Sequence, residues 1–208
     1  MEKFFGPMEQ IGIVVDDFND PINHWTKNLN VGPFIILEHL DLKDVYYKGN
    51  NANIDFSVAL AYSGDIQIEL IKQHCETPSI YNDYVNNKKN TVHHFCTFSK
   101  DINKDIRDFE DSGYKNIQGG RTQDGGSFAY LDKENNFGAI LEIAQLSEGG
   151  YAMFEMIKNA SKNWDGKNAI MDIGEISIWI FGWGGRDRTY ESRDQNPLPY
   201  RLATPQDI

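Results

Sequence analysis

The sequence contains only two cysteines, Cys75 and Cys96, and neither belongs to a CxxC pair. A disulfide framework is therefore not expected, and a reducing cytoplasm suits these thiols. No apolar run reaches the roughly 18 residues that a membrane-spanning helix needs. The first ten residues, MEKFFGPMEQ, also lack the basic and apolar regions of a secretory signal. We expect a cytoplasmic protein with no membrane partner.

Basic residues are also scarce, since 20 Lys and Arg face 31 Asp and Glu and give a formal net charge of -11. Such a molecule repels phosphate backbones, which argues against nucleic-acid binding. The two glycine pairs, at 119–120 and 125–126, match no phosphate-binding motif and are predicted to be turns. The 208 residues suffice for one ordinary domain or two small ones.

What the sequence does contain is an internal repeat. The segment Thr91–Ser99 (TVHHFCTFS) has the layout of Met8–Val15 (MEQIGIVV), with His94 set against Gln10. In the same register a helix cap and an apolar helical stripe recur, and Glu69 in IQIELI corresponds to Glu142 in AILEIA. The repeat predicts two half-domains that share a core.

Each half reads as a strand, a helix and further strands, so an α+β fold of paired βαβββ modules is expected. In the first half, Phe34 to Tyr47 is predicted to be a strand, and the first helix is predicted to bury Ile22, Trp25 and Leu29. After the second half, Gly150 to Trp164 predicts an amphipathic helix that buries Tyr151, Phe154, Ile157 and Trp164.

Four polar side chains occupy matched positions in otherwise apolar strands: Gln10, Glu69, His94 and Glu142. Isolated acids or histidines in strands usually face solvent, but the repeat places these on related strands where they can converge. Two carboxylates in an apolar trough need a raised pKa or a cation. We therefore expect a divalent metal, and the oxygen and nitrogen ligands suit Zn, Mn, Co, Ni or Fe.

The neighbours of these positions have less specific roles. His93 is predicted to lie on the opposite face of its strand from His94 as a structural histidine, and Cys96 is predicted to be a small core residue. The candidate substrate contacts are Gln67, His39, His74 and Tyr81. Ordinary hydrogen bonding at the surface is the alternative role for those in loops.

Four stretches, QIGIVVDDFNDPINHWTKNLNVGPF, GDIQIELI, VHHFCTF and FAYLDKENNFGAILEI, resemble the vicinal-oxygen-chelate superfamily of glyoxalases, bleomycin-resistance proteins and dioxygenases. They are most similar to its glyoxalase and methylmalonyl-CoA epimerase branch. The resemblance covers about residues 8 to 146. It implies an open barrel around a divalent metal, whose ligand positions fall on Gln10, Glu69, His94 and Glu142, and a small-molecule substrate.

This sequence departs from the family pattern at two positions. The first ligand position is usually histidine in the metal enzymes and is Gln10 here, a weaker neutral ligand. That change disfavours an extradiol dioxygenase, which needs two histidines and a carboxylate around Fe(II). The base that the epimerases carry on the third strand has only Asp55 near the matching position.

The resemblance implies a metal-dependent isomerase, epimerase or lyase that acts through an enolate on a carboxylic acid, acyl thioester or thiol adduct. Glu142 or Glu69 is the expected base. The alternative is a non-catalytic protein that binds a small molecule, as resistance members do. Homodimers are expected in either case. An aromatic wall of Trp25, Phe34, Tyr62, Phe98 and Phe128 would suit the binding role.

The expected domain organisation follows from the repeat and the resemblance. Residues 1–148 form the superfamily domain, with modules at about 7–72 and 91–146, and residues 149–167 form the C-terminal helix. Residues 168–208 are expected to be an irregular tail, in which Ile173 to Trp183 could add an edge strand or a self-association surface.

Overall fold

The computed structural model describes residues 5–85, 90–134 and 140–172. The predictions for Ile173 to Trp183 and for residues 184–208 lie outside these residues. The first five residues of the expected tail, 168–172, are described and are not loose, because the Phe34 N–H donates to the Ala169 carbonyl and the Met171 N–H donates to the Phe34 carbonyl, each at 2.8 Å. No helix among them is long and apolar enough to cross a membrane.

The first half of the chain runs through strands, one long helix and one short helix in a fixed order. Its elements are β1 (Gln10–Val14), α1 (Asn19–Leu29), β2 (Ile35–Leu37), β3 (Leu42–Tyr47), β4 (Asn50–Asn51), β5 (Phe56–Ser63), β6 (Ile66–Gln73) and α2 (Ile80–Val85). The second half comprises β7 (Val92–Phe98), α3 (Ile102–Asp111), β8 (Lys115–Thr122), β9 (Ser127–Asp132), β10 (Ile140–Gln145) and α4 (Glu148–Lys162).

These strands form one curled sheet of ten strands in the order β2-β5-β6-β1-β7-β10-β9-β8-β3-β4. The first strands of the two modules, β1 and β7, pair antiparallel at the centre, and each pairs in parallel with the last strand of its own module, β6 or β10. The two modules are therefore related by an approximate twofold axis between β1 and β7. The predicted α+β fold of paired βαβββ modules is confirmed.

The helices divide between the two faces of this sheet. Helix α3 packs on Ala129, Leu131 and Ile143, which alternate along their strands with residues of the concave face. Helix α1 packs in the same way on β5 and β6. Helix α4 lies on the concave face, where Met153 and Ile157 join the largest core cluster. The concave face is thus covered by the chain's own last described helix.

Two predicted elements differ in the structure. The segment Phe34 to Tyr47 is not one strand, because the chain turns between β2 and β3, where His39 has a φ of 49°. Strand β3 then pairs with β8 of the other module. Gly119 and Gly120 do not turn the chain but lie within β8, and Gly119 approaches the Tyr46 hydroxyl too closely to carry a Cβ.

Two predicted helical faces are each buried only in part. Leu29 at the end of α1 is 48% exposed, whereas Ile22 is buried as predicted. In α4, Ser147 caps the helix by accepting a hydrogen bond from the backbone N–H of Gly150. The buried stripe contains Met153 and Ile157, and Tyr151 is exposed.

Candidate metal centre and cavity

The four polar positions of the repeat lie on the four central strands, at the bottom of the concave face. Glu69 and Gln10 come from β6 and β1, and His94 and Glu142 from β7 and β10. His94 Nε2 lies 2.9 Å from Glu142 Oε2, 3.3 Å from Glu69 Oε2 and 3.5 Å from Gln10 Oε1. The structure therefore brings all four side chains together around one imidazole nitrogen.

This cluster is almost completely shielded from solvent. His94 is fully buried, and Gln10 and Glu142 are 5% and 6% exposed. The Oε2 atoms of Glu69 and Glu142 are buried and, although both approach His94 Nε2, neither has a partner in hydrogen-bonding geometry. Buried carboxylate oxygens normally have hydrogen bonds or a cation. Two such oxygens directed at one point are what a cation site requires.

A glycine on the neighbouring strand makes room for the imidazole. Gly12 is paired with His94 across the β1–β7 seam. A Cβ at this position would lie 1.9 Å from Cε1 of the His94 ring and 2.3 Å from each ring nitrogen. The ring of His94 therefore occupies the space that any side chain at position 12 would need.

The orientation of the Gln10 amide is set by two other side chains. The Gln10 Nε2 donates to Gln67 Oε1 at 2.6 Å, and the Gln67 Nε2 donates to the Tyr62 hydroxyl at 3.2 Å. Because its NH₂ group is occupied by Gln67, Gln10 presents its carbonyl oxygen to His94. An oxygen in this position can act as a metal ligand.

His93 does not lie on the opposite face, which corrects the sequence-based expectation. The β1–β7 register shifts between Gly12 and Ile13, so His93 is the extra residue of a β-bulge. The bulge turns its ring inward, where its Nδ1 lies 3.0 Å from the Nδ1 of His94. The His93 ring also packs against Tyr81 and Tyr130.

The protonation of the two histidines differs because their surroundings differ. Burial lowers the pKa of His94, but the negative charges of Glu142 and Glu69 close to its ring outweigh this effect and raise the pKa to about 9. Burial and the nearby His94 hold the pKa of His93 well below its usual range. A neutral His93 can accept the proton on His94 Nδ1, which leaves Nε2 of His94 directed at the carboxylates.

Burial raises the pKa of the Glu69 carboxyl, and the neighbouring Glu142 adds to this rise while His94 opposes it. Glu69 is therefore easier to protonate than an exposed glutamate. A cation between the carboxylates would replace the proton.

The donor atoms fit a divalent ion. Ligands about 2.1 Å from a metal lie roughly 3.0 to 3.5 Å apart in octahedral or tetrahedral arrangements. The three contacts of His94 Nε2, at 2.9, 3.3 and 3.5 Å, fall close to this range. The ligating atoms of Glu69, His94 and Glu142 lie within 4.8 Å of one another. A set of one imidazole, two carboxylates and one amide oxygen could hold Zn, Mn, Co, Ni or Fe.

An apolar cavity of about 140 Å³ lies directly above this cluster, and Gln10, Glu69 and Glu142 form part of its wall. Its other walls come from the strands and from α4. Its apolar and aromatic lining comprises Leu37, Leu40, Leu42, Phe56, Val58, Leu60, Tyr81, Phe98, Phe128, Tyr130, Met153 and Phe154. The Tyr81 hydroxyl donates to that of Tyr130 at 3.1 Å. The cavity thus has a polar end at the cluster and an apolar body.

The candidate substrate contacts occupy different places. Tyr81 lines the cavity, and Gln67 lies behind Gln10. His39 and His74 stack on each other, with ring centroids 4.5 Å apart, and do not line the cavity. Asp55 also lies outside it and pairs with His39 at 2.7 Å.

Of the five residues of the predicted aromatic wall, only some line the cavity. Phe98 and Phe128 line the cavity, whereas Trp25 and Phe34 belong to the core beneath α1. Tyr62 hydrogen-bonds to Gln67.

Sequence reasoning missed Gly12, Tyr130 and Met153 of α4, whereas Phe154, predicted as buried, does line the cavity. Tyr130 alternates with Phe128 on one face of β9, and that spacing was a usable signal. Gly12 is two residues from Gln10 and faces the same side, but its role depends on the register of the opposite strand. The position of Met153 over the cavity depends on how α4 packs on the sheet.

Paired βαβββ modules curled around a buried cluster of oxygen and nitrogen ligands define the class of open-barrel proteins with an internal small-molecule site. A family model described as the glyoxalase/bleomycin resistance protein/dioxygenase superfamily matches residues 9–130, which is more than half of the chain. The protein belongs to this superfamily. Comparison with curated proteins finds no match to the sequence.

Solved structures with the same fold include a hypothetical protein from Bacillus halodurans C-125. It is 20% identical with a TM-score of 0.51, and the match covers 68% of this chain and 95% of that one. The methylmalonyl-CoA epimerase from Mycobacterium tuberculosis is 13% identical with a TM-score of 0.50, and the match covers 73% of this chain and 95% of the epimerase. At these identities the likeness shows the fold alone.

Proposed function

We propose that this protein is a metal-dependent isomerase, epimerase or lyase that removes a proton next to a substrate carbonyl. The observation that carries the proposal is the convergence of two buried carboxylate oxygens and a carbonyl oxygen on His94 Nε2, at the end of an apolar cavity. The substrate class is a carboxylic acid, an acyl thioester or a thiol adduct with neighbouring oxygens.

A divalent ion held by Gln10, Glu69, His94 and Glu142 would supply the positive charge that stabilises an enolate oxygen. The protein's own contribution is to orient the substrate and exclude water. The apolar lining removes solvent from the reacting carbon, which strengthens every electrostatic interaction there. His93 fixes the orientation of the His94 ring, and Gln67 fixes that of the Gln10 amide.

Of the two glutamates, Glu69 is the better candidate for the base. It lies farther from His94 than Glu142 does, at 3.3 Å against 2.9 Å. Its side chain is also the more exposed of the two, 13% against 9%, which suits a carboxylate that leaves the metal to meet the substrate. We propose that Glu69 accepts the α-proton and that Glu142 remains with His94 as a ligand.

The test is proton exchange into an uncharged acyl thioester, a 2-methylacyl N-acetylcysteamine derivative, followed by NMR in D₂O. Protein reconstituted with Co(II) or Zn(II) should exchange the α-proton, and Glu69→Gln should slow exchange about 10² to 10⁴-fold, the usual contribution of a general base. Glu69→Gln should still bind metal, whereas Glu142→Gln should weaken metal binding. Glu110→Gln on α3, on the other face of the sheet, is the matched control.

Metal content decides the first part of the proposal. Less than about a tenth of an equivalent of transition metal after reconstitution would contradict a four-ligand site of this kind. Full metal content together with no exchange in any acyl thioester would leave the metal site but remove the isomerase.

The second candidate function is the sequestration of a small molecule without chemistry. The observation that favours it is the mainly apolar lining of the cavity, which suits binding, together with a neutral amide at the first ligand position. This function predicts ligand-induced thermal stabilisation with no deuterium incorporation in wild-type protein. An extradiol dioxygenase is disfavoured because Gln10 stands in place of a histidine.

A cytoplasmic location and a homodimeric state also remain proposals. Cys75 and Cys96 are free thiols, which suits a reducing compartment. Size-exclusion chromatography with light scattering tests the dimer.

A further inference from the structure

The cavity above the candidate metal centre has an unusual charge distribution. The residues that the structure describes as its lining include four carboxylates and no lysine, arginine or histidine. Two of the carboxylates, Glu69 and Glu142, belong to the metal-ligand set. The other two, Asp41 and Asp124, have no part in it.

The strands that form the wall direct their cations away from the cavity. Leu42 on β3 is paired with Thr122 on β8, and both line the cavity. The next pair along these strands is Lys43 with Arg121, which by strand alternation faces the other side. The Arg121 guanidinium is bound there by Asp44. The nearest cations of this wall are therefore unavailable to a ligand in the cavity.

The metal centre does not supply a compensating positive charge. The ligand set carries two carboxylates, a neutral imidazole in the metal-bound form and a neutral amide, so a divalent ion is balanced by its own ligands. Asp124 remains as fixed negative charge, held by the hydroxyls of Thr122 and Ser147. An anionic ligand would lose its hydration in an apolar space whose described lining offers it no counter-charge, which is costly.

The size of the cavity limits the apolar part of the ligand. An apolar cavity of about 150 Å³ in another protein is known to hold benzene. The present cavity of about 140 Å³ is similarly lined by leucine, phenylalanine and methionine side chains. One aromatic ring or a short branched alkyl group would fill it.

From these observations we infer that the ligand is an uncharged molecule with two neighbouring oxygens and a ring-sized apolar group, and that carboxylates are excluded. The inference rests on the proposed function in two respects, that the cavity over the four ligands is the binding site and that a bound divalent ion takes two neighbouring oxygens of the ligand. It selects the uncharged members of the proposed substrate class.

The test compares two probes of nearly equal size, 1-phenylpropane-1,2-dione and phenylglyoxylate, in which a methyl group replaces a carboxylate oxygen. Dissociation constants are measured by calorimetry on protein reconstituted with Zn(II). We expect the dione to bind at least about tenfold more tightly. Equal or tighter binding of phenylglyoxylate, or binding of neither probe, would overturn the inference.

Charge reversal at the rim gives a second measurement. Asp41→Lys should strengthen phenylglyoxylate binding several-fold relative to dione binding, because Asp41 lines the cavity but ligates nothing. Asp111→Lys on α3, on the opposite face of the sheet, makes the same change in net charge and should alter neither constant. An equal effect of the two variants would refute the electrostatic argument.

These outcomes separate the inference from the proposed function. Preferential dione binding without proton exchange in any substrate would support the inference and contradict the isomerase. Proton exchange in a carboxylate substrate would support the isomerase and contradict the inference.

Discussion

The change of one hydrogen atom to a methyl group at Gly12 should dismantle the metal centre without touching any ligand. The ideal Cβ at this position lies 1.9 Å from Cε1 and 2.3 Å from both nitrogens of the His94 ring. These distances are well below van der Waals contact, and all three atoms belong to one rigid ring. In Gly12→Ala the imidazole must therefore leave its present position or the β1–β7 seam must open.

The expected cost has two parts. Overpacking a well-packed interior typically costs about 1 to 3 kcal/mol. Displacing the ring also separates it from two buried carboxylates, and breaking a buried ion pair costs about 3 to 5 kcal/mol. Partial relaxation overlaps the two effects, so we expect the metal-free variant to lose about 3 kcal/mol of unfolding free energy. Because outer ligand contacts alone change metal affinity about 10 to 100-fold, displacing a ligand should weaken binding at least about 100-fold.

The assay is metal titration together with urea denaturation. Gly64→Ala is the matched control, because Gly64 has a φ of 63° and nothing lies within 4 Å of its Cβ position. It should lose about 1 kcal/mol through backbone strain and keep its metal affinity. If Gly12→Ala bound metal within threefold of wild type, His94 would not be a ligand in the position described.

Three further predictions concern the same cluster. His93→Leu should fold but bind metal about 10 to 100-fold more weakly, because it removes the acceptor of the His94 Nδ1 proton. Recovery of metal affinity in His93→Asn would support an orienting role for His93 over a packing role. Unchanged metal affinity in His93→Leu would refute the orienting role. In EDTA the unfolding free energy should fall by about 3 kcal/mol between pH 6.5 and 9. The raised pKa of His94 stabilises the fold below pH 6.5, and this contribution is lost as the pH rises through about 9. The measurement is urea denaturation across this range, and an unfolding free energy that stays constant or rises with pH would refute the prediction. Gln10→His should raise metal affinity only when it is combined with Cys96→Gly, which frees space beside position 10. Metal affinity is measured by competition with a chelator. An equal gain in Gln10→His alone would show that Cys96 does not limit the side chain at position 10.

The fold was predictable from the sequence because its signal is distributed over the whole chain. The repeat places strand, cap and helix twice in the same register, and alternation along the strands places Gln10, Glu69, His94 and Glu142 on the concave face. The Asp101 cap of α3 is also visible in the sequence, and its side chain accepts a hydrogen bond from the Lys104 backbone. These features depend on local pattern alone.

The features that sequence reasoning missed depend on long-range register. The bulge at His93 exists only relative to β1, and the pairing of β3 with β8 joins two modules that the repeat treats as independent. In α4 the predicted residues Phe154 and Ile157 do face the sheet, but Met153 is buried and Tyr151 is 45% exposed. Tertiary packing therefore sets the exact centre of the buried face of this helix.

The approximate twofold axis also gives a physical reason for glutamine at the first of the four polar positions. Across the β1–β7 seam His94 is paired with Gly12, and the symmetry-related pair is Gln10 with Cys96. An imidazole at position 94 fits because nothing projects from position 12. At position 96 a buried cysteine is paired with Gln10, and we expect an imidazole at position 10 to crowd its side chain. A glutamine is thinner and can pass this side chain and still bring its carbonyl oxygen to the centre. The asymmetry of the ligand set therefore follows from the two residues that lie beneath the ligands.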